Sequence, residues 1–141
     1  MKTKICIVKA NFYPEISSKL LFGCKKELPK NHNSDSISVP GIFEIPIVIA
    51  KEINSYDAFI VLGCVIKGKT PHFKFISQTV LNAIMDLSIK HKKPIGNGII
   101  TCLNKKQALE RAHTYKTNKG KEAAIAVLSV LKILKENYAP S

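Results

Sequence analysis

The sequence contains little arginine and few aromatic residues, although it is strongly basic. Its 22 basic residues give a formal net charge of +12, yet Arg111 is the only arginine and aromatic residues make up 7%. Nucleic-acid-binding surfaces typically cluster lysine and arginine and add aromatic rings that stack on bases. Here the lysines are scattered singly or in pairs. We interpret them as a solvated surface and expect no nucleic-acid partner; salt-dependent binding to nucleic acid is the alternative.

The sequence also lacks closely spaced cysteines and long apolar segments. Cys6, Cys24, Cys64 and Cys102 include no pair at the spacing of zinc sites or redox motifs, so we expect free thiols, a reducing compartment and no metal. The longest uncharged apolar stretch, residues 59–66, is far shorter than the roughly 20 residues that span a bilayer. No export signal is expected from the short apolar run near the start. We therefore expect a cytoplasmic protein without a membrane partner.

Four strand-like apolar runs alternate with segments whose apolar residues recur at helical spacing. The predicted strands are Lys4–Lys9, Ile37–Val39, Ala58–Leu62 and Ile95–Thr101, and residues 30–35 are predicted to form a surface loop. The predicted helices are Glu15–Leu28, Phe43–Ile53, Thr70–His91, Lys105–Arg111 and Lys119–Asn137. This alternation is typical of right-handed βαβ units in a parallel sheet covered on both faces. We predict one α/β domain over residues 1–141 with a four-stranded parallel sheet.

In such sheets, ligands bind beyond the carboxyl ends of the strands. The turn Gly63–Phe73 follows the third predicted strand, which we expect to end at the start of this turn. Thr70 would cap the next helix, and the backbone N–H groups near Lys69 and Thr70 would form an anion-binding nest. His72 would face the same anion and could give or take a proton at cellular pH. The alternative is a plain helix cap beside a surface histidine.

Three further residues have both a structural and a functional interpretation. Phe12 follows the first strand and could belong to the core or stack on the ring of a ligand. Glu44 lies near the start of a predicted helix, where it could complement the helix dipole or accept hydrogen bonds from ligand hydroxyls. Arg111 ends a short helix and could complement its dipole, but its planar guanidinium also suits bidentate phosphate binding.

Five motifs follow one another along the chain. They are Asn11-Phe12, Val39 to Pro46, Leu62 to Phe73, Gln107 to Ala112 and Asn118 to Gly120. In this order and spacing they resemble the 6,7-dimethyl-8-ribityllumazine synthase family, from about Ile5 to Leu134. The resemblance implies a flavodoxin-like three-layer α/β/α sandwich and a transferase without cofactor. It implies the penultimate step of riboflavin biosynthesis, which condenses 5-amino-6-(D-ribitylamino)uracil with 3,4-dihydroxy-2-butanone 4-phosphate to give 6,7-dimethyl-8-ribityllumazine, phosphate and water.

The same resemblance implies how the candidate site is divided. His72 would be the catalytic general acid and base, and Phe12 would stack on the pyrimidine ring. The other residues around the ring would be Cys64, Val65, Ile66 and Asn97. The ribityl chain would be held by Ile42, Phe43 and Glu44. The substrate phosphate would be bound by Lys69, Thr70 and Arg111, with Lys119 as an accessory cation.

The resemblance also implies a homo-oligomer with active sites at subunit interfaces, so that Phe12 and Arg111 come from different subunits. The family forms pentamers, some of which assemble into icosahedral shells. The segment His113 to Asn118 lacks the glycine-rich form typical of the shell builders, so we predict a free pentamer or a decamer. The alternative within the family is a homologue that binds flavin or lumazine without useful turnover.

Overall fold

Strands and helices alternate along most of the chain. The computed structural model describes residues 3–68 and 72–136. The strands are β1 (Lys4–Ala10), β2 (Asn33–Val39), β3 (Ala58–Ile66) and β4 (Ile95–Cys102). The helices are α1 (Pro14–Glu27), α2 (Ile45–Glu52), α3 (His72–His91), α4 (Lys105–Arg111) and α5 (Lys119–Lys135), and a 3₁₀ turn, Ile42–Glu44, precedes α2. Across the described ranges, no helix is long and apolar enough to cross a membrane.

The four strands form one parallel sheet in the order β2-β1-β3-β4. Successive side chains of a strand point to opposite faces. Ile5 and Ile7 of β1 therefore pack with α1, α4 and α5 in one core, whereas Cys6 and Val8 pack with α2 and α3 in the other. The predicted α/β class, with its three-layer sandwich and four-stranded parallel sheet, is confirmed.

All four strands are longer than predicted, β1 and β4 by one residue each and β2 and β3 by four each. β2 begins at Asn33, so the loop predicted over residues 30–35 is wrong in its second half. β2 is an edge strand with mostly exposed side chains, and its sequence therefore lacks the apolar pattern that identifies a strand. β3 does not end at Gly63 but continues to Ile66, because β4 runs beside it and Ile66 pairs with Cys102. The turn after β3 is correspondingly shorter.

A buried amide joins α5 to α1 and to the loop before α5. The Asn118 Oδ1 atom accepts a hydrogen bond from the Lys121 N–H at 3.0 Å and so caps α5. Its Nδ2 atom donates to the backbone oxygens of Lys19 in α1, at 3.0 Å, and of His113, at 3.3 Å. All hydrogen-bonding groups of this side chain are therefore used, as a buried polar group requires.

Two glycines make this junction possible. A Cβ atom on Gly23 of α1 would clash with the side chain of Asn118, and one on Gly120 of α5 would clash with the backbone oxygen of Leu20. The two helices can approach closely only because both positions lack a side chain. This contact fixes the position of α5 against the sheet.

We expect Asn118→Ala to lower the free energy of unfolding by about 2–4 kcal/mol, because it removes a helix cap and the two Nδ2 hydrogen bonds of a buried side chain. Chemical denaturation measures this loss. Asn104→Ala is the matched control, since Asn104 caps α4 through the Gln107 N–H at 2.9 Å at an exposed site. It should cost only about 1 kcal/mol. Equal losses in the two variants would contradict a role for the Nδ2 bonds.

Candidate active site

An apolar cleft of about 250 Å³ lies where β1, β2 and β3 end. It brings together six of the predicted site residues, which are Phe12, Ile42, Phe43, Cys64, Val65 and Ile66. The loop after β1 is held at the sheet because the Asn11 N–H donates to the Val39 backbone oxygen at 2.9 Å. We call this space the apolar cleft.

The ring of Phe12 forms one exposed wall of the apolar cleft. Phe12 is 71% exposed, so its interpretation as a core residue is wrong. The neighbouring Tyr13 meets it edge to face, with ring centroids 5.0 Å apart and planes at 75°. An exposed aromatic face beside an apolar cleft can stack on a planar ligand.

A glycine in β3 brings the turn before α2 close to the cleft. A Cβ atom on Gly63 would lie 2.8 Å from Cγ2 of Ile42 and 3.2 Å from Cβ of Ala10. Any larger residue would push Ile42 away from the strand. The missing side chain at Gly63 thus sets how closely the turn packs against the carboxyl ends of β1 and β3.

Glu44 shapes the same turn. Its Oε1 atom accepts a hydrogen bond from the Gly41 N–H at 2.9 Å, and the Glu44 N–H donates to the Gly41 backbone oxygen at 3.3 Å. The carboxylate therefore has a structural role in the turn. Its Oε2 atom has no hydrogen-bond partner among residues 3–68 and 72–136, so it can still accept a bond from a ligand.

The predicted catalytic histidine is next in sequence to a residue that lines this cleft. His72 is exposed and is the first residue of α3, and Phe73 and Ile76 of the same helix line the cleft. Lys69 and Thr70, and with them the predicted helix cap and anion nest, lie outside the described residues. His72 itself does not line the cleft, but it lies one helical turn before Ile76 and therefore near the same face of α3.

A second cleft, of about 410 Å³, runs along the outer edge of β4. It contains the other predicted residues Asn97, Arg111 and Lys119. We call it the edge cleft. In the described part of the chain, the edge cleft and the apolar cleft have no lining residue in common.

Arg111 and Asn97 are bonded to the free backbone edge of β4. The Cys102 backbone oxygen accepts a hydrogen bond from the N–H of Lys67, which follows β3. Because successive residues of a strand point in opposite directions, the Thr101 oxygen and the Ile99 N–H point away from the sheet. Arg111 Nη1 donates to the Thr101 oxygen at 3.0 Å, and Asn97 Oδ1 accepts from the Ile99 N–H at 3.0 Å. Arg111 is thereby fixed through one nitrogen, and its other donors can face the cleft.

Several lining residues were not predicted from the sequence. In the edge cleft these include Thr117 and Glu122, and in the apolar cleft Tyr13, Phe73 and Ile76. Glu122 could have been found, because it follows Lys119 by three residues and so shares a helix face with it. Phe73 ends the predicted turn, but the helical spacing of Phe73 and Ile76 indicates packing rather than ligand binding. Among the described residues, no three His, Cys, Asp or Glu side chains are placed to hold a metal ion.

The fold and the two clefts define the class of protein. It is a flavodoxin-like α/β protein whose candidate ligand-binding residues lie at the carboxyl ends of parallel strands and along an adjacent sheet edge. Phe12, His72 and Arg111 each lie in one of the five sequence motifs. Comparison with known proteins identifies the family.

The family model described as 6,7-dimethyl-8-ribityllumazine synthase matches residues 2–135. The chain is 44% identical over 138 residues to "6,7-dimethyl-8-ribityllumazine synthase 1" of Rhodopseudomonas palustris, covering 92% of this chain and 85% of that protein. It is 45% identical over 138 residues to "6,7-dimethyl-8-ribityllumazine synthase" of Bartonella tribocorum, covering 95% of this chain and 91% of that protein. The chain belongs to the 6,7-dimethyl-8-ribityllumazine synthase family, and the resemblance noted in its sequence is confirmed.

A thiol lies in the wall of the apolar cleft. All four cysteines fall within the described residues and are buried, free thiols, as predicted. Cys64 lines the cleft, and burial, with a smaller contribution from Cys102, raises its thiol pKa to about 12. The thiolate is the nucleophilic form, so the raised pKa makes Cys64 a poor nucleophile at neutral pH.

We expect the reaction of Cys64 with iodoacetamide at pH 8 to be at least about 10³-fold slower in the folded protein than in the unfolded chain, because the raised pKa depletes the thiolate. Mass spectrometry of timed samples measures this rate. The pH dependence separates ionisation from access. In the folded protein the rate should keep rising above pH 9, whereas in the unfolded chain it should level off there. A plateau near pH 9 in both states would contradict the raised pKa.

Proposed function

We propose that this chain is a 6,7-dimethyl-8-ribityllumazine synthase. It condenses 5-amino-6-(D-ribitylamino)uracil with 3,4-dihydroxy-2-butanone 4-phosphate to give 6,7-dimethyl-8-ribityllumazine, phosphate and water, the penultimate step of riboflavin biosynthesis. Membership of the family and the names of its relatives support this reaction. The observation that carries it is the exposed Phe12 ring on the apolar cleft, which is also lined by Phe73 and Ile76 of α3, the helix that His72 begins.

The apolar cleft holds the pyrimidine substrate. Phe12 stacks on its ring, and Val65 and Ile66 contact the ring edge, which takes apolar surface out of water. The ribityl chain lies along the turn Ile42–Glu44, where the free Oε2 atom of Glu44 accepts a hydroxyl hydrogen. Recognition thus divides between an apolar contact for the ring and a polar turn for the sugar-like chain.

His72 moves the protons of the condensation. The substrate amine attacks the ketone carbonyl, and water leaves as the imine forms. His72 takes the proton from the attacking nitrogen and returns one to the leaving hydroxyl. A second transfer accompanies loss of phosphate, when a proton leaves carbon and the C–O bond breaks. The ribityl-bearing nitrogen then attacks the remaining carbonyl carbon, and a second water leaves as the ring closes. A positioned histidine typically accelerates such steps about 10²–10⁴-fold, and holding both substrates together supplies much of the rest.

The phosphate of the second substrate is bound by Arg111, with Lys119 as an accessory cation. Both line the edge cleft, whereas the ring-binding residues line the apolar cleft. A condensation needs the pyrimidine substrate and the phosphate-bearing substrate in one site. The two clefts therefore meet when a second copy of the chain brings its edge cleft to the apolar cleft of the first. Lys69 and Thr70 would complete the phosphate site from the side of His72.

Exposed apolar side chains support this assembly. Ile47 of α2 is 70% exposed and Ile89 of α3 is 67% exposed, and Phe75 and Met85 of α3 are also exposed. A monomer would leave these side chains in water, and large exposed apolar surfaces usually mark interfaces. We propose a homopentamer, free or paired as a decamer, in the cytoplasm. Binding of ligand without turnover is the alternative, and activity measurements separate the two.

Purified protein given both substrates should form lumazine, followed by its absorbance. His72→Ala should reduce kcat about 10²–10⁴-fold while lumazine affinity changes little, because the proton shuttle is lost and the ring contacts remain. His91→Ala, at the other end of α3, is the matched control and should leave kcat unchanged. No product from active substrates would overturn the function. An undiminished kcat in His72→Ala would overturn the role of His72.

Mixing two variants of low activity tests whether each site is shared between subunits. Arg111→Ala should reduce activity about 10- to 100-fold, because charge-assisted bonds to the phosphate are lost. When Arg111→Ala and His72→Ala subunits assemble at random in equal amounts, about a quarter of the interfaces combine two intact halves. Activity should rise to about that share of wild type. No recovery in oligomers shown to contain both variants would contradict the shared site.

A further inference from the structure

Helix α1 begins with a residue that is a poor cap. Tyr13 occupies the N-cap position with φ −118° and ψ 86°, and within the described part of the chain its side chain makes no capping hydrogen bond. Serine, threonine, asparagine or aspartate at this position would accept a bond from an N–H group of the first turn and stabilise the helix. The local preference for a polar cap is therefore not met at this position.

The ring of Tyr13 has two neighbours that explain its presence. It packs against the core between the sheet and helices α1 and α5, and it meets the ring of Phe12 edge to face at 5.0 Å and 75°. Phe12 itself is mostly exposed and so has little packing of its own. Tyr13 thus links an exposed ring to the rigid core.

The backbone around Tyr13 holds this link in place. The Ser17 N–H donates to the Tyr13 backbone oxygen at 3.0 Å, and the Ser17 hydroxyl donates to Asn11 Oδ1 at 3.2 Å. Ser17 is fully buried, and Pro14 fixes the first turn of α1. The aromatic pair therefore sits on a loop that is fixed at both ends.

We propose that Tyr13 is a positioning residue that holds the ring of Phe12 in the orientation that stacks on the heteroaromatic ring of the substrate and product. The proposal rests on the proposed function. An unsupported surface phenylalanine samples several rotamers, and binding must then restrict it to one. A ring already held by Tyr13 avoids that loss. Tyr13 therefore leaves the helix without a side-chain cap but preorganises a ligand contact.

Tyr13→Asn tests the proposal, because it removes the ring and introduces a good cap. Lumazine affinity, measured by fluorescence titration with 6,7-dimethyl-8-ribityllumazine, should fall about three- to tenfold, the usual effect of losing one aromatic pair. The KM of the pyrimidine substrate should rise by a similar factor, while kcat and the KM of the phosphate substrate stay within twofold. Unchanged affinity would overturn the proposal, whatever happens to the unfolding midpoint.

Two further variants separate positioning from packing. Tyr13→Phe keeps the ring and should bind lumazine like wild type. Tyr13→Leu keeps an apolar contact with the core without an aromatic edge and should lose affinity as Tyr13→Asn does. Wild-type affinity in Tyr13→Leu would overturn the proposal. If wild type binds lumazine in a Tyr13-dependent way but forms no product, the proposed function fails and the positioning role stands.

Discussion

The amide of Asn118 is the contact on which much of this structure depends. It caps α5, bonds to α1 and bonds to the loop that follows α4. The cation Lys119 and the carboxylate Glu122 lie in the first turn of α5, and Thr117 lies just before it. One buried side chain therefore fixes helix packing on one face of the sheet and the wall of the edge cleft together.

The single arginine of a lysine-rich chain lies where its geometry is needed. Arg111 donates from one nitrogen to the backbone of β4 and keeps further donors in the same plane for a ligand. A lysine ammonium is a compact point charge on a flexible stem and would not be oriented in this way. Position and chemical type together explain why this one basic residue differs from the other 21.

The sequence predicted much of the fold, because the buried strands are apolar and the helices have clear limits. α4 was predicted exactly, whereas the start of β2 at Asn33 and the end of β3 at Ile66 were not, since pairing with a neighbouring strand decides both. Motifs indicated most of the candidate site. Only the family resemblance implied that Phe12 and Arg111 lie apart. Their separation into two clefts follows from the place of β4 at the sheet edge, which no local pattern encodes. Tyr13 was not among the predicted site residues, because a tyrosine at a helix start carries no binding signal of its own.

The exposed edge of β4 has a consequence for solubility. An open strand edge presents unpaired N–H and C=O groups to which another chain can add a strand, which is a common start of aggregation. Here the Arg111 guanidinium donates a hydrogen bond to the Thr101 oxygen, and Asn97 Oδ1 accepts one from the Ile99 N–H. The side chains that line the edge cleft thus also block strand addition at this edge, so ligand recognition and protection against misassembly depend on the same residues.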